Sequence, residues 1–139
     1  MVEISQDIVH QIYYYGEKSY PDEGCGMILG TKRDGIHTVH EVIEMNNAQE
    51  VNRDVRYLIT PEQYRLAEQL AKEKNMELLG FFHSHPDHEA VPSLFDREHA
   101  LPCCLYMIVS IVFKHGRNIT AWVLSENRLR FDEQPINII

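Results

Sequence analysis

Between Met76 and Asp96 the chain reads MELLGFFHSHPDHEAVPSLFD. An apolar run with the composition of a buried strand ends in two histidines one residue apart, and Pro86 then stops the strand. Strand side chains two residues apart point to one face, roughly 7 Å from each other. His83 and His85 can therefore converge on one ion from a rigid strand end, while Ser84 points the other way. Neutral imidazole nitrogen and a carboxylate suit zinc, and three protein ligands plus a water leave an open, catalytic position. Asp96 is the natural third ligand, because the DHEAVP loop is long enough to bring it back over the strand end.

The bland readings stand beside this one. A histidine pair at this spacing is by itself more often a surface or hydrogen-bonded pair. Ser93-x-x-Asp96 is also a capping box opening a helix over SLFDREHAL. The two roles are compatible: the helix starts there, its first turn presents Asp96 to the ion, and Ser93 is left beside it with a hydroxyl donor. His99, one turn beyond Asp96, and His88, in the loop, are alternative ligands. His10, His37, His40 and His115 are scattered and read as solvent-facing or locally bonded.

The remaining elements form a setting for this segment. Ser5 caps a helix running to Tyr20, with Ile8, Ile12 and Tyr15 on its apolar face and Pro21 ending it. Gly24–Gly30 and Gly35–Met45 read as strands joined through Asp34-Gly35, a hairpin signal. Residues 46–56 are polar and read as a loop. Thr60–Asn75 is the clearest helix: Thr60 caps it, Pro61 suits its first turn, and Tyr64, Leu66, Ala67, Leu70 and Ala71 supply its apolar face. LYMIVSIVF and NITAWVLS are strands around a KHGR turn, and NRLRFDEQPINII reads as a terminal edge strand interrupted by Pro135. Strands alternate irregularly with helices, with antiparallel hairpins at both ends. The fold class is α/β with a mixed sheet covered by helices.

No repeat or linker divides the 139 residues, so one domain spanning 1–139 is expected. Thirteen Lys+Arg against 21 Asp+Glu give a net charge of −8, which argues against nucleic acid, since affinity for it rests on cations neutralising phosphates. A basic partner or a neutral substrate fits better. MVEISQDIVHQ carries no secretory signal, and the most apolar stretch, Leu101–Phe113, is too short for a membrane helix. Cys25, Cys103 and Cys104 are an odd count with two adjacent, a poor disulfide framework that fits reduced thiols in the cytoplasm, with the adjacent pair read as core thiols.

HSHP, seven residues to a serine, and an aspartate three beyond together make His-Ser-His-x(7)-Ser-x-x-Asp. This resembles the signature of the JAMM metalloproteases, also called the MPN+ or JAB domain. DEGCGMILG resembles the family's Glu-x-Cys-Gly-x-Leu-x-Gly segment, and the order of elements agrees over nearly the whole chain. The resemblance implies a cytidine-deaminase-like α/β/α sandwich. It implies one zinc ion per chain, with a bound water, held by His83, His85 and Asp96. Glu23 would be the general base, taking a proton from the attacking water and passing it to the leaving amine. Ser93 would help stabilise the tetrahedral oxyanion. Asp22 and Glu17 are distant alternatives to Glu23.

The implied activity is a zinc-dependent peptidase or isopeptidase. Small stand-alone prokaryotic members, which HSHPDHEAVPS resembles most, act on ubiquitin-like sulfur-carrier proteins or their conjugates, cutting after the carrier's Gly-Gly. The chain has no room for the insertions with which linkage-specific deubiquitinases grip a second ubiquitin. A non-catalytic MPN-type scaffold and a RadC-like JAB domain are the alternatives. A zinc nucleobase deaminase needs Pro-Cys-x-x-Cys, a spacing that LPCCL does not supply.

Overall fold

A computed structural model describes every residue except Val55 and Cys103. In chain order it contains β1 (Val2–Ile4), α1 (Gln6–Ser19), β2 (Cys25–Arg33), β3 (Ile36–Met45), α2 (Pro61–Glu73), β4 (Glu77–Pro86), α3 (Leu94–His99), β5 (Leu105–Val112), β6 (His115–Leu124), β7 (Phe131–Gln134) and β8 (Ile136–Ile138). The described strands make one mixed sheet ordered β7–β6–β5–β4–β2–β3–β1–β8. Its centre is β4, antiparallel to β2 on one side and parallel to β5 on the other.

Alternation along β4 assigns the two faces. Phe82 packs with Val9 and Ile12 of α1, and with Ile28, Met107 and Val109. Phe81 packs on the opposite face with Ala67 and Ala71 of α2 and Ala100 after α3. By the same period of two, His83 and His85 follow Phe81 on the α2/α3 face, and Ser84 follows Phe82 toward α1. Gly16 lets α1 lie against the back of this strand end: a Cβ there would meet Ile111 Cδ1 at 2.9 Å and Ser84 Cβ at 3.1 Å. Parallel strands need a crossover, and the β4–β5 crossover carries α3 across the carboxyl end of β4, the place where open α/β sheets hold ligands.

The helix starts follow the sequence chemistry. Ser5 accepts from the Ile8 amide, and Thr60 forms a reciprocal capping box with Gln63. The apolar face of α1 is rotated slightly from the expected one: Val9, Ile12 and Gly16 are buried and Ile8 and Tyr15 flank them. Leu66, expected on the buried face of α2, is 58% exposed, because Ala67 and Ala71 set the face that meets the sheet, with Tyr64 and Leu70 packed beside them.

Three other differences have local causes. β1 pairs in parallel with β3 and β8, so His37 is interior rather than solvent-facing, only 3% exposed. The turn after β5 is Phe113–Lys114, both with positive φ, so His115, Gly116 and Arg117 already belong to β6. Gly116 is needed in that strand because the Tyr13 ring of α1 occupies the place of a Cβ. The terminal run serves both ends of the sheet: β7 pairs with β6 and β8 with β1, with Pro135 alone between them and its carbonyl accepting from the Val2 amide at 2.8 Å. The sheet therefore curls around α1. Cys104 packs at the margin of the α2-side core, and Cys103, expected to be its core neighbour, lies outside the described residues. No helix among the described residues is long and apolar enough to cross a membrane.

Candidate metal centre

The end of β4 and the first turn of α3 bring three ligand atoms into mutual contact. His83 Nε2, His85 Nε2 and Asp96 Oδ2 stand 3.1 Å from one another along all three edges. Glu23 joins them: one ligand atom from each of Glu23, His83, His85 and Asp96 lies within 4.8 Å of the others, and all four residues are buried.

The hydrogen bonds around the triangle argue for a cation inside it. His85 Nδ1 donates to the Glu89 carbonyl at 2.7 Å, which leaves a lone pair on Nε2 of the neutral ring. That lone pair faces the Asp96 carboxylate, so with both rings neutral this edge sets acceptor against acceptor. A cation relieves the opposition. Tetrahedral bonds of ~2.0 Å to nitrogen and oxygen require ligand atoms roughly 3.3 Å apart, close to the observed edges. Asp96 Oδ1 and Glu23 Oε1 are buried with no partner among the described residues, two unpaired carboxylate oxygens that a dry core does not tolerate.

Each group is held by local structure. Ser93 Oγ accepts from the Asp96 amide at 3.0 Å while Asp96 Oδ2 accepts from the Ser93 amide at 2.9 Å, so the capping box that starts α3 also aims the carboxylate. Glu23 stands just before β2. Ser84, between the two histidines but on the reverse face, accepts from the Gly24 amide through Oγ at 2.8 Å and donates its own amide to the Gly24 carbonyl at 3.0 Å. The ligand strand and the Glu23 segment are thus tied together. The Glu23 amide donates to the Arg53 carbonyl at 2.6 Å.

Two residues that sequence reasoning did not single out complete the surroundings. Asn47 donates through Nδ2 to the Glu23 and Arg56 carbonyls at 3.2 and 3.0 Å, and accepts through Oδ1 from the Gln49 and Leu58 amides at 2.9 and 3.0 Å. Tyr57, next to Leu58, stacks its ring on His83 with centroids 4.2 Å apart and planes 20° from parallel. The MNN segment after the second strand and the YLITPEQ entry to the helix formed part of the family resemblance, but neither pattern marks Asn47 or Tyr57 individually.

Burial pushes the His83 imidazole below its ordinary 6.5, with Asp96 offsetting part of the effect, and so favours the neutral ligand form. Burial alone would raise Asp96, but His83 and His85 outweigh it and hold that carboxyl well below the usual carboxylate range. Burial first, then the Asp96 and Asp54 carboxylates, push Glu23 up to about 9. A cation among these groups acts in the opposite sense and favours the Glu23 carboxylate.

The alternatives lie elsewhere. His99 is exposed, stacked on Phe95 with Nδ1 bonded to the Phe95 carbonyl. His88 is exposed and not one of the four clustered residues, and it lines a cavity of about 520 Å³ with Glu23, His85, Glu89 and Ser93. Asp22 pairs with Arg53 at the surface, and Glu17 accepts from the Gly116 amide on the far side of the sheet.

Residues 5–125 match the family described as prokaryotic homologs of the JAB domain. A CysO-cysteine peptidase of Mycobacterium bovis is 28% identical over 98% of this chain and 90% of that protein. A desampylase of Haloferax volcanii is 33% identical over 91 residues, 65% of this chain and 63% of that protein. Among solved structures, a Salinibacter ruber protein is 38% identical with a TM-score of 0.78 over 100% of this chain and 92% of its own. A JAB1/MPN domain protein from Archaeoglobus fulgidus, 17% identical over 100% of this chain and 97% of its own, has the same fold with a TM-score of 0.61. With the family match covering nearly the whole chain, the protein belongs to the prokaryotic JAB-domain family.

Proposed function

We propose that the protein is a zinc-dependent peptidase or isopeptidase that hydrolyses the bond after the C-terminal Gly-Gly of a ubiquitin-like sulfur-carrier protein, releasing an extension, a conjugated protein or a carried amino acid. The observation that carries the hydrolytic reading is the convergence of two imidazoles and two carboxylates, all buried, at the carboxyl end of β4. Two nitrogens and an oxygen in a closed triangle are zinc-type donors, whereas magnesium and calcium favour oxygen sets. The names of the relatives, a CysO-cysteine peptidase and a desampylase, support substrates of the carrier kind.

His83, His85 and Asp96 would hold the zinc, which would lower the pKa of a water and polarise the scissile carbonyl. The chain's own groups do the rest. Glu23, within reach of the ligand atoms, takes the water's proton and returns it to the departing amine, which leaves poorly without one. Ser93 keeps its hydroxyl proton free while its oxygen caps α3, so it can donate to the oxyanion that develops beside it. The His85–Glu89 hydrogen bond fixes the ring tautomer throughout.

A Gly-Gly tail offers no side chains, so it is recognised through its backbone; β4 is paired on both sides by β2 and β5, so the tail is held by the loops that flank the ion rather than by an edge of the sheet. A carrier-Gly-Gly-X fusion is therefore cut after the second glycine. Activity falls sharply when that glycine becomes valine, and an unstructured peptide with the same last residues is cut poorly. Incubation with all three, followed by intact-mass measurement, is the test. Equal cleavage of all three would leave a general zinc peptidase in place of a carrier-specific one.

A further inference from the structure

Two cavities flank the metal centre along β4, and they differ in chemistry. The one of about 520 Å³ contains Glu23, His85, His88 and Glu89. The other, about 420 Å³, is walled by Tyr57, Ile59, Tyr64, Phe81, Leu101 and Tyr106. Phe81, His83 and His85 succeed one another on one face of the strand, so the order is apolar cavity, ligand triangle, polar cavity. Tyr57 is the partition, lining the apolar cavity while stacking on His83.

Three of the polar groups in the apolar cavity are bonded to the protein. Tyr106 Oη accepts from the Leu101 amide at 2.7 Å, Thr60 Oγ1 accepts from the Gln63 amide at 3.1 Å, and His99 Nδ1 is bonded to the Phe95 carbonyl at 3.0 Å. A carbon side chain loses nothing by entering such a space, and a polar one gives up its water for little. The rim is accessible, with Leu101 41% exposed.

The direction of the substrate follows from Glu23. Protonation of the leaving amine requires Glu23 to reach that nitrogen, and Glu23 lines the polar cavity. The departing group lies on that side, so the acyl part ending in Gly-Gly extends over the apolar cavity. An extended chain advances ~3.3 Å per residue, so two glycines cover ~7 Å, about the distance from His83 back to Phe81 on the strand. The first side chain able to drop into the cavity belongs to one of the two residues ahead of Gly-Gly.

We propose that this cavity is a specificity subsite for a large apolar side chain carried one or two residues ahead of the substrate's Gly-Gly. The proposal rests on the carrier-peptidase reading and narrows its substrates to carriers with such a residue. The test is a set of carrier-Gly-Gly-X fusions with Leu, Ala or Asp at each of those two positions in turn, compared by kcat/KM. Leu exceeds Ala by roughly 10- to 100-fold at one position, the range that a hydrophobic pocket gives, and Asp is poorer still. Leu101→Trp, which fills the rim and keeps the backbone bond to Tyr106, reduces the Leu/Ala ratio to within about threefold; a thermal melt confirms that this variant is folded. If all fusions are cut and Leu and Ala differ by less than threefold in the wild type, or the ratio survives in Leu101→Trp, the subsite is wrong while the carrier reading stands. No cleavage of any fusion removes the carrier reading and the subsite with it.

Discussion

Glu23 shows what a single side chain can and cannot reveal in a sequence. One carboxylate among several in EKSYPDE has no spacing that marks it, and only the resemblance of DEGCGMILG to a known segment drew it out. The fold supplies the reason it differs from Asp22: Glu23 is 4% exposed and its Oε1 has no partner among the described residues, whereas Asp22 is paired at the surface. Glu23→Gln keeps the shape and the zinc but removes the proton acceptor, so kcat on a carrier-Gly-Gly-X fusion falls by at least 10²-fold with zinc content unchanged. Ser93→Ala costs on the order of 10²-fold, as for one oxyanion donor, and also lowers the stability of α3 by about 1 kcal/mol through the lost cap. Steady-state rates, elemental analysis and thermal melts on the two variants separate these effects. Near-normal turnover in Glu23→Gln would move the base elsewhere, with Glu89 the first candidate.

At the scale of elements, the strand–loop–helix from Glu77 to His99 was legible because each boundary carries its own chemistry: Pro86 stops β4, Ser93 and Asp96 start α3, and the period of two aims both histidines. The segment from 46 to 56 was legible only as a polar loop flanking the substrate groove; that Asn47 holds it by satisfying four backbone groups was not, because no local pattern announces them as partners. The pairing of β1 was equally hidden, since three residues are too few to show a period. The role of Asn47 can be dissected with Asn47→Asp, which retains the two acceptor bonds and deletes the donors to Glu23 and Arg56. Zinc remains bound, because its ligands sit on β4 and α3, while kcat drops about tenfold as the Glu23 backbone loses its anchor. Parallel loss of zinc and activity would make Asn47 a general structural residue instead, and unchanged kcat would remove it from the account.

For the whole molecule, a mixed α/β fold was readable from the alternation of elements, but closure of the sheet was not. Pro135 looked like an interruption at an edge. In three dimensions it passes the chain from one end of the sheet to the other, a relation that depends on accumulated twist across eight strands and on no residue in particular. That curled sheet holds α1 against the back of β4 and leaves the other face for α2, α3 and the ligand triangle. The central claim is that the fold exists around that triangle to hold one zinc ion. Elemental analysis of protein purified without added metal measures it most directly: the wild type carries roughly one zinc per chain, and His83→Ala and Asp96→Ala, each confirmed folded, carry little or none. Folded wild type without zinc, or variants that hold it as tightly as the wild type, would contradict the account.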